Sequence, residues 1–268
     1  MGDSRPIGIF DSGVGGLTVL RAIRERMPAE STVYVADLLH FPYGPRPLDE
    51  VKGFAFDLIE YLNSRQVKLI VIACNSATAA ALSQARERYD VPIVGVISPG
   101  AQTAVERTRG GLIGVICTEA TLRAQAYVHA IKELDPMVRV FQKACPELVE
   151  IVEAGEADSP RAEASLRADL QELVEMGADT LVLGCTHYPL LKPALERVYP
   201  GAFEVVDSAQ TTAEMVQRRL EHARMVADAN SRADHQVLVT ARPEHFQRVA
   251  RSLFGEAEID VREERIWP

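Results

Sequence analysis

LIVIACNSATAAAL, residues 69–82, and TLVLGCTHYPLL, residues 180–191, decide how the whole chain is read. Each begins with a short run of aliphatic residues, reaches a small residue, and then places a cysteine and a polar residue side by side. Apolar runs of this length, bounded by small and polar residues, read as strands buried on both faces. Both would therefore end in a thiol, at Cys74 and at Cys185.

A second pair of segments repeats at a similar distance. PIGIFDSGVGG (6–16) aligns with LIGVICTEATL (112–122), so that Asp11-Ser12 stands against Cys117-Thr118. The offsets of the two pairs are 112 − 6 = 106 and 180 − 69 = 111, which predicts two α/β units related by duplication.

Working outward, further short runs read as strands: IGIF (7–10), TVYVA (32–36), PIVGV (92–96), LIGVI (112–116), VRVF (138–141), FEVV (203–206) and QVLVT (236–240). Between strands, apolar residues recur at three and four in LTVLRAIRERM, EVKGFAFDLIEYL, ATAAALSQARERY, TLRAQAYVHAIKEL, SLRADLQELVEMG and AEMVQRRLEHARM, which predicts helices. Alternation of this kind specifies an α/β fold with mainly parallel sheets flanked by helices. Ligands in such folds bind outside the carboxyl ends of the strands.

If the two units face each other, Cys74 and Cys185 flank one ligand. Each thiol is also expected just before a helix, whose dipole would favour the thiolate by roughly 0.3 to 1 kcal/mol and bring a thiol from about 8.5 to about 7–8. A neighbouring group is still needed to take the proton. His187 lies two residues after Cys185, and Asp11 ends the first strand in the same half as Cys74. Asp11-Ser12 also reads as a helix N-cap, and His187 as a helix-start histidine bonded to backbone. Cys117 and Cys145 lack such neighbours and read as packing residues.

Other chemistries fit less well. DSGVGGLT has Thr18 where the third glycine of a dinucleotide-binding turn belongs, and Asp11 would repel a pyrophosphate. Cys185-x-His187 has no CxxC or HxxxH companion, so no metal is expected. Of five lysines, Lys52, Lys132 and Lys192 read as helical, leaving Lys68 and Lys143 as weak Schiff-base candidates. No cofactor is expected.

The 268 residues suffice for a core that needs no disulfides, burying roughly 70 to 75% of the unfolded surface. A net charge of −9 disfavours nucleic acid and anionic membrane surfaces as partners. MGDSRPIGIF has neither the basic nor the long apolar region of a secretory signal, and no apolar run approaches the roughly 18 residues of a membrane span. The expected location is the cytoplasm, where the four cysteines would be free thiols.

IGIFDSGVGGLTVL, the PYG of FPYGPRP, ACNSATA, PIVGVISPG, GCTHYPLL and VVDSA together resemble the glutamate racemase family of the aspartate/glutamate racemase superfamily, over essentially the whole chain. The resemblance implies interconversion of L- and D-glutamate without a cofactor, supplying the D-isomer for peptidoglycan. It implies that Cys74 deprotonates D-glutamate with help from Asp11. Cys185 would deprotonate L-glutamate with help from His187, and Glu153, in VEIVEAG, would stand near the second cysteine. Its own neighbourhood equally allows a solvated helix face. Substrate contacts implied in the same way are Asp11, Ser12, Tyr43, Gly44, Asn75, Ser76, Thr118, Thr121, Thr186 and His187; Tyr43-Gly44 also reads as a rigid turn. Hydroxyls, amides and helix-start N–H groups of this kind can hold carboxylates without a positively charged protein.

The resemblance further implies two similar domains with the site between them, residues 1–97 with 207–268 forming one and 98–206 the other, and a homodimer. The chain departs from the family pattern at Ser76, where Thr is usual, and at Glu119-Ala120, where a Gly-bearing turn is frequent. With five residues before Pro6, the extension that carries activator control in some relatives is not expected. The open alternatives are an aspartate or hydantoin racemase, a single-thiol decarboxylase on the same scaffold, and a binding protein with an inherited, inactive pocket.

Overall fold

The computed structural model describes residues 2–254 and 260–267. Met1, residues 255–259 and Pro268, all within the expected first domain, lie outside the described residues. The chain begins with β1 (Ile7–Asp11), α1 (Leu17–Arg26), β2 (Thr32–Ala36), α2 (Leu48–Ser64), β3 (Leu69–Ile72), α3 (Asn75–Arg88) and β4 (Ile93–Gly95). It continues through α4 (Ile97–Arg107), β5 (Leu112–Cys117), α5 (Glu119–Arg123), α6 (Ala126–Leu134), β6 (Arg139–Ala144), α7 (Pro146–Glu153), α8 (Pro160–Glu175) and β7 (Thr180–Gly184). A 3-10 turn (Tyr188–Leu191) leads into α9 (Lys192–Val198) and β8 (Glu204–Asp207). The last elements are α10 (Ser208–His222), β9 (His235–Val239), α11 (Pro243–Phe254) and β10 (Val261–Glu263).

Two sheets result, and the strand pairs among the described residues are parallel. The six-stranded sheet has the order β10-β9-β2-β1-β3-β4, and the four-stranded sheet has the order β6-β5-β7-β8. Within the larger sheet the run β2-β1-β3-β4 repeats the order β6-β5-β7-β8, as a duplicated unit should. β1 and β5 are the equivalent central strands, and β3 and β7 are their equivalent neighbours.

Alternation along each strand explains why the sheets are covered on both faces. Ile7 and Ile9 enter one buried cluster with α1 and α10, while Phe10 enters another with α2 and α3. In the second sheet Ile113 and Val115 pack with α4 and α6, and Leu112 and Ile116 pack with α7 and α8. Glycine in β5 permits the close approach of α8: a Cβ at Gly114 would lie 2.8 Å from Leu173 Cδ2. Such double coverage is what an all-parallel sheet requires. Among the described residues no helix is long and apolar enough to cross a membrane.

Several elements differ from their sequence reading. TLRAQAYVHAIKEL divides into α5 and α6, because Gln125 adopts a left-handed conformation with φ 48°. The elements α4, α7, α9, α11 and β10 have no counterpart among the read segments. Cys74 does cap α3, but Cys185 precedes only a 3-10 turn of four residues, so a full helix dipole does not reach it.

Candidate active site

The carboxyl ends of both sheets open onto one cavity of about 520 Å³. Ser12 arrives after β1, Cys74, Asn75 and Ser76 after β3, Thr118 after β5, and Cys185, Thr186 and His187 after β7. The loop before α2 adds Phe41, Tyr43 and Gly44, and α7 adds Glu150 and Glu153. Thus the two cysteines, which leave equivalent strands of two similar sheets, line the same space.

On the first side, Cys74 Sγ lies 3.8 Å from the Ser12 hydroxyl. Burial pushes the Cys74 thiol well up, and the Asp11 carboxylate pushes it further, outweighing the N–H of Ala77 at the start of α3. This reverses the expected lowering by the helix. A dipole worth under about 1 kcal/mol does not overcome removal from water.

Asp11 is fully buried beneath the cavity wall rather than in it. Its Oδ2 accepts from the N–H groups of Gly13 and Gly16 at 3.1 and 3.0 Å, and its Oδ1 accepts from the Thr186 hydroxyl at 3.4 Å. Burial nevertheless holds its carboxyl above the ordinary value, against the opposing effects of His187 and these N–H groups.

On the second side, His187 Nδ1 lies 3.7 Å from Cys185 Sγ, and His187 Nε2 lies 2.7 Å from Glu153 Oε1. Burial alone would lower the imidazole, but its hydrogen bonds with Cys185 and Glu153 prevail and raise it to about 10. Glu153 is not on a solvated face; its side chain is 15% exposed. Burial would raise its carboxyl, yet hydrogen bonds from His187 and His245 bring it below the ordinary value. Cys185, His187 and Glu153 therefore form a continuous hydrogen-bonded line.

The remaining candidates divide into lining and supporting groups. Ser76 Oγ and Thr118 Oγ1 are 2.8 Å apart across the two halves, and Thr121 Oγ1 backs Thr118 at 3.0 Å without lining the cavity. Asn75 donates through Nδ2 to the Tyr127 hydroxyl at 2.9 Å, leaving its buried Oδ1 without a partner among the described residues. Tyr43 lines the cavity but donates its hydroxyl to Asp37 Oδ2 at 2.7 Å. Gly44 offers backbone, its carbonyl accepting from Ala120 N–H at 2.9 Å. The loop Ser12–Gly16 must be glycine-rich: a Cβ on Gly15 would lie 2.4 Å from Thr186 Oγ1 and 2.7 Å from His187 Nδ1.

Residues 7–216 match the family described as Asp/Glu/Hydantoin racemase. The chain belongs to that racemase family. A glutamate racemase of Beutenbergia cavernae is 46% identical over 268 residues, covering 96% of this chain and 91% of the relative. The crystal structure of glutamate racemase isoform RacE1 from Bacillus anthracis has a TM-score of 0.92 at 37% identity, covering 96% of each chain. That of glutamate racemase from Francisella tularensis, in complex with D-glutamate, has a TM-score of 0.90 at 28% identity, covering 98% of this chain and 97% of the other.

In this racemase-family chain, Cys117 and Cys145 lie buried outside the cavity lining, with Cys117 Sγ 3.7 Å from the Lys143 carbonyl. Among the described residues, no group of three or more His, Cys, Asp or Glu side chains is arranged to hold a metal ion. Sequence reasoning missed Asp37, Phe41, Val149, Glu150 and His245. Asp37 had a local signal, since it directly follows the strand TVYVA just as Asp11 ends IGIFD. His245 had none, because nothing in PEHFQRVARSLF points to α7.

Proposed function

We propose that this chain is a glutamate racemase that works by two-cysteine proton transfer without a cofactor. The observation that carries the reading is that Cys74 and Cys185 line one cavity from equivalent strand ends. The glutamate racemases it resembles over nearly their whole length support the choice of substrate.

In the L-to-D direction the Cys185 thiolate takes the α-proton of L-glutamate and becomes a thiol. The electron pair left on the α-carbon is shared with the adjacent carboxylate. Cys74 then gives its thiol proton to the opposite face, which yields D-glutamate and leaves Cys74 as thiolate. The D-to-L direction reverses each transfer. His187 accepts the Cys185 proton between turnovers, with Glu153 holding the imidazole in line. Asp11 keeps the Cys74 thiolate strongly basic, because an anion beside it disfavours its charge.

The lining residues include no lysine or arginine, so besides the protonated His187 the donors that hold the substrate are neutral. The Ser12, Ser76, Thr118 and Thr186 hydroxyls and the backbone of Gly44 face its carboxylates, while Asn75 Oδ1 accepts from its ammonium. Developing charge is thus met by fixed dipoles of the cavity wall.

The working unit comprises two domains, residues 1–97 with 207–268 and residues 98–206, and forms a homodimer in the cytoplasm, where it supplies D-glutamate for peptidoglycan. Circular dichroism of the pure protein with L-glutamate tests the activity: the signal should decay to zero, and in heavy water the product should carry deuterium at the α-carbon. Cys74→Ala and Cys185→Ala should each lower racemisation by at least about 10³-fold. Full activity in Cys185→Ala would remove the second base. Racemisation of aspartate or a hydantoin in preference to glutamate would reassign the substrate.

A further inference from the structure

Glu153 has two oxygens, and only one of them faces His187. The other, Oε2, lies 2.8 Å from Nε2 of His245, on α11. That helix follows β9 of the larger sheet, whereas Glu153 ends α7 beside the smaller one. A carboxylate held from both sides by imidazoles has a fixed plane, so the geometry of the Cys185 side depends on a residue 60 positions from it in sequence and in the other half of the molecule.

The hydrogen-bond directions are mutually consistent. Arg248, one turn further along α11, lies with Nη2 3.4 Å from His245 Nδ1. A guanidinium only donates, so Nδ1 accepts and the ring proton sits on Nε2, from which it is donated to Glu153. Glu153 Oε1 accepts from His187 Nε2–H, and with the imidazole value raised to about 10 the second ring proton sits on Nδ1, facing Cys185 Sγ. The order Arg248, His245, Glu153, His187, Cys185 therefore orients every ring.

We propose that His245 is a positioning residue for the reaction: it fixes Glu153 so that His187 presents Nδ1 to Cys185, and thereby couples the seating of α11 to proton transfer in the opposite half. This rests on the racemase reading for its kinetic consequences, but not for its structural ones. His245 does not itself line the cavity; it reaches the site through Glu153, which does.

The titratable and charged groups around Glu153 are His187 before the 3-10 turn, His245 and, behind it, Arg248 on α11, Tyr34 on β2, and Glu150 on its own helix. Of these, His187 and His245 hold the carboxyl down after burial has raised it. Losing His245 should move the Glu153 midpoint upward.

Two measurements on the full chain test the proposal. Carbon-13 carboxyl NMR of the protein without substrate should show the Glu153 midpoint higher in His245→Ala than in the wild type. Glutamate racemisation by His245→Ala should lose about tenfold in kcat with KM within about twofold, as for loss of one charge-assisted hydrogen bond. His245→Gln, whose amide can still donate to Oε2, should recover most of kcat. Wild-type kcat in His245→Ala, an unmoved Glu153 midpoint, or a His245→Gln as impaired as the alanine variant would each overturn it. Should His245→Ala fail to fold, the glutamine variant decides alone. If the wild type racemises no glutamate, the substrate assignment fails while the carboxyl titration still judges His245.

Discussion

Tyr43 lines the cavity, yet its hydroxyl is already committed to the buried Asp37, which also accepts from the Thr240 hydroxyl at 3.0 Å. The family resemblance implied a substrate contact from Tyr43, whereas the residues themselves read equally as a rigid turn; the hydroxyl is taken by Asp37. Tyr43→Phe should therefore lower the unfolding free energy by about 1–3 kcal/mol, because a buried carboxylate loses a donor, while KM changes little. A tenfold rise in KM with unchanged denaturant stability would return the hydroxyl to the substrate. His187 gives a second prediction. Its folded value of about 10 stands above the ordinary 6.5, so its stabilising effect is complete below about pH 6.5 and is lost as pH climbs through about 10. Urea midpoints should fall over that window in the wild type, and His187→Gln should flatten the fall; an unchanged slope would show that His187 does not titrate there. The cysteines, Asp11 and His187 were legible because each sits at a strand end in a recognisable order. The direction of the Cys74 shift was not, because burial is a property of what folds over a residue rather than of its neighbours in sequence.

Among the elements, those with clean periodicity were readable to within a few residues: TVYVA and TLVLG match β2 and β7 end for end. The apolar pattern of TLRAQAYVHAIKEL continues straight through Gln125, whose left-handed backbone its residue type does not announce. ISPGAQTAVER was obscured as a helix by Pro99 and Gly100 near its start, where proline costs no intrahelical hydrogen bond. Helix α8 ends by local rules. Gly177, at φ 75°, donates to the Val174 carbonyl at 3.0 Å, and Ala178 donates to the Leu173 carbonyl at 3.0 Å. Gly177→Ala should cost about 1 kcal/mol of stability, since a side chain there is strained, and leave kcat at the wild-type value. A stability loss well below half that figure would mean the turn relaxes without strain.

At the scale of the molecule, the duplicated strand order was foreshadowed by the paired offsets, because equivalent strand ends carry similar residues. The contacts joining the halves were not, since they link positions far apart in sequence: Asp11 with Thr186, Ser76 with Thr118, Asn75 with Tyr127, and Glu153 with His245. Charge makes a prediction at this scale too. The chain carries −9, and its cavity lining holds no lysine or arginine. On the racemase reading, an anionic substrate is therefore repelled at long range by the net charge of the chain. Raising salt from about 50 to about 500 mM should increase kcat/KM by up to about threefold, as screening removes the repulsion. A marked decrease would instead require a cationic clamp.

The bare backbone at Gly15 leaves no more than a hydrogen atom's thickness between one half's first loop and the Thr186–His187 pair of the other. The two α/β units consequently meet here with no room for a side chain between them. Any side chain placed at position 15 would have to be answered by a change 186 − 15 = 171 or 187 − 15 = 172 residues away, at Thr186 or His187.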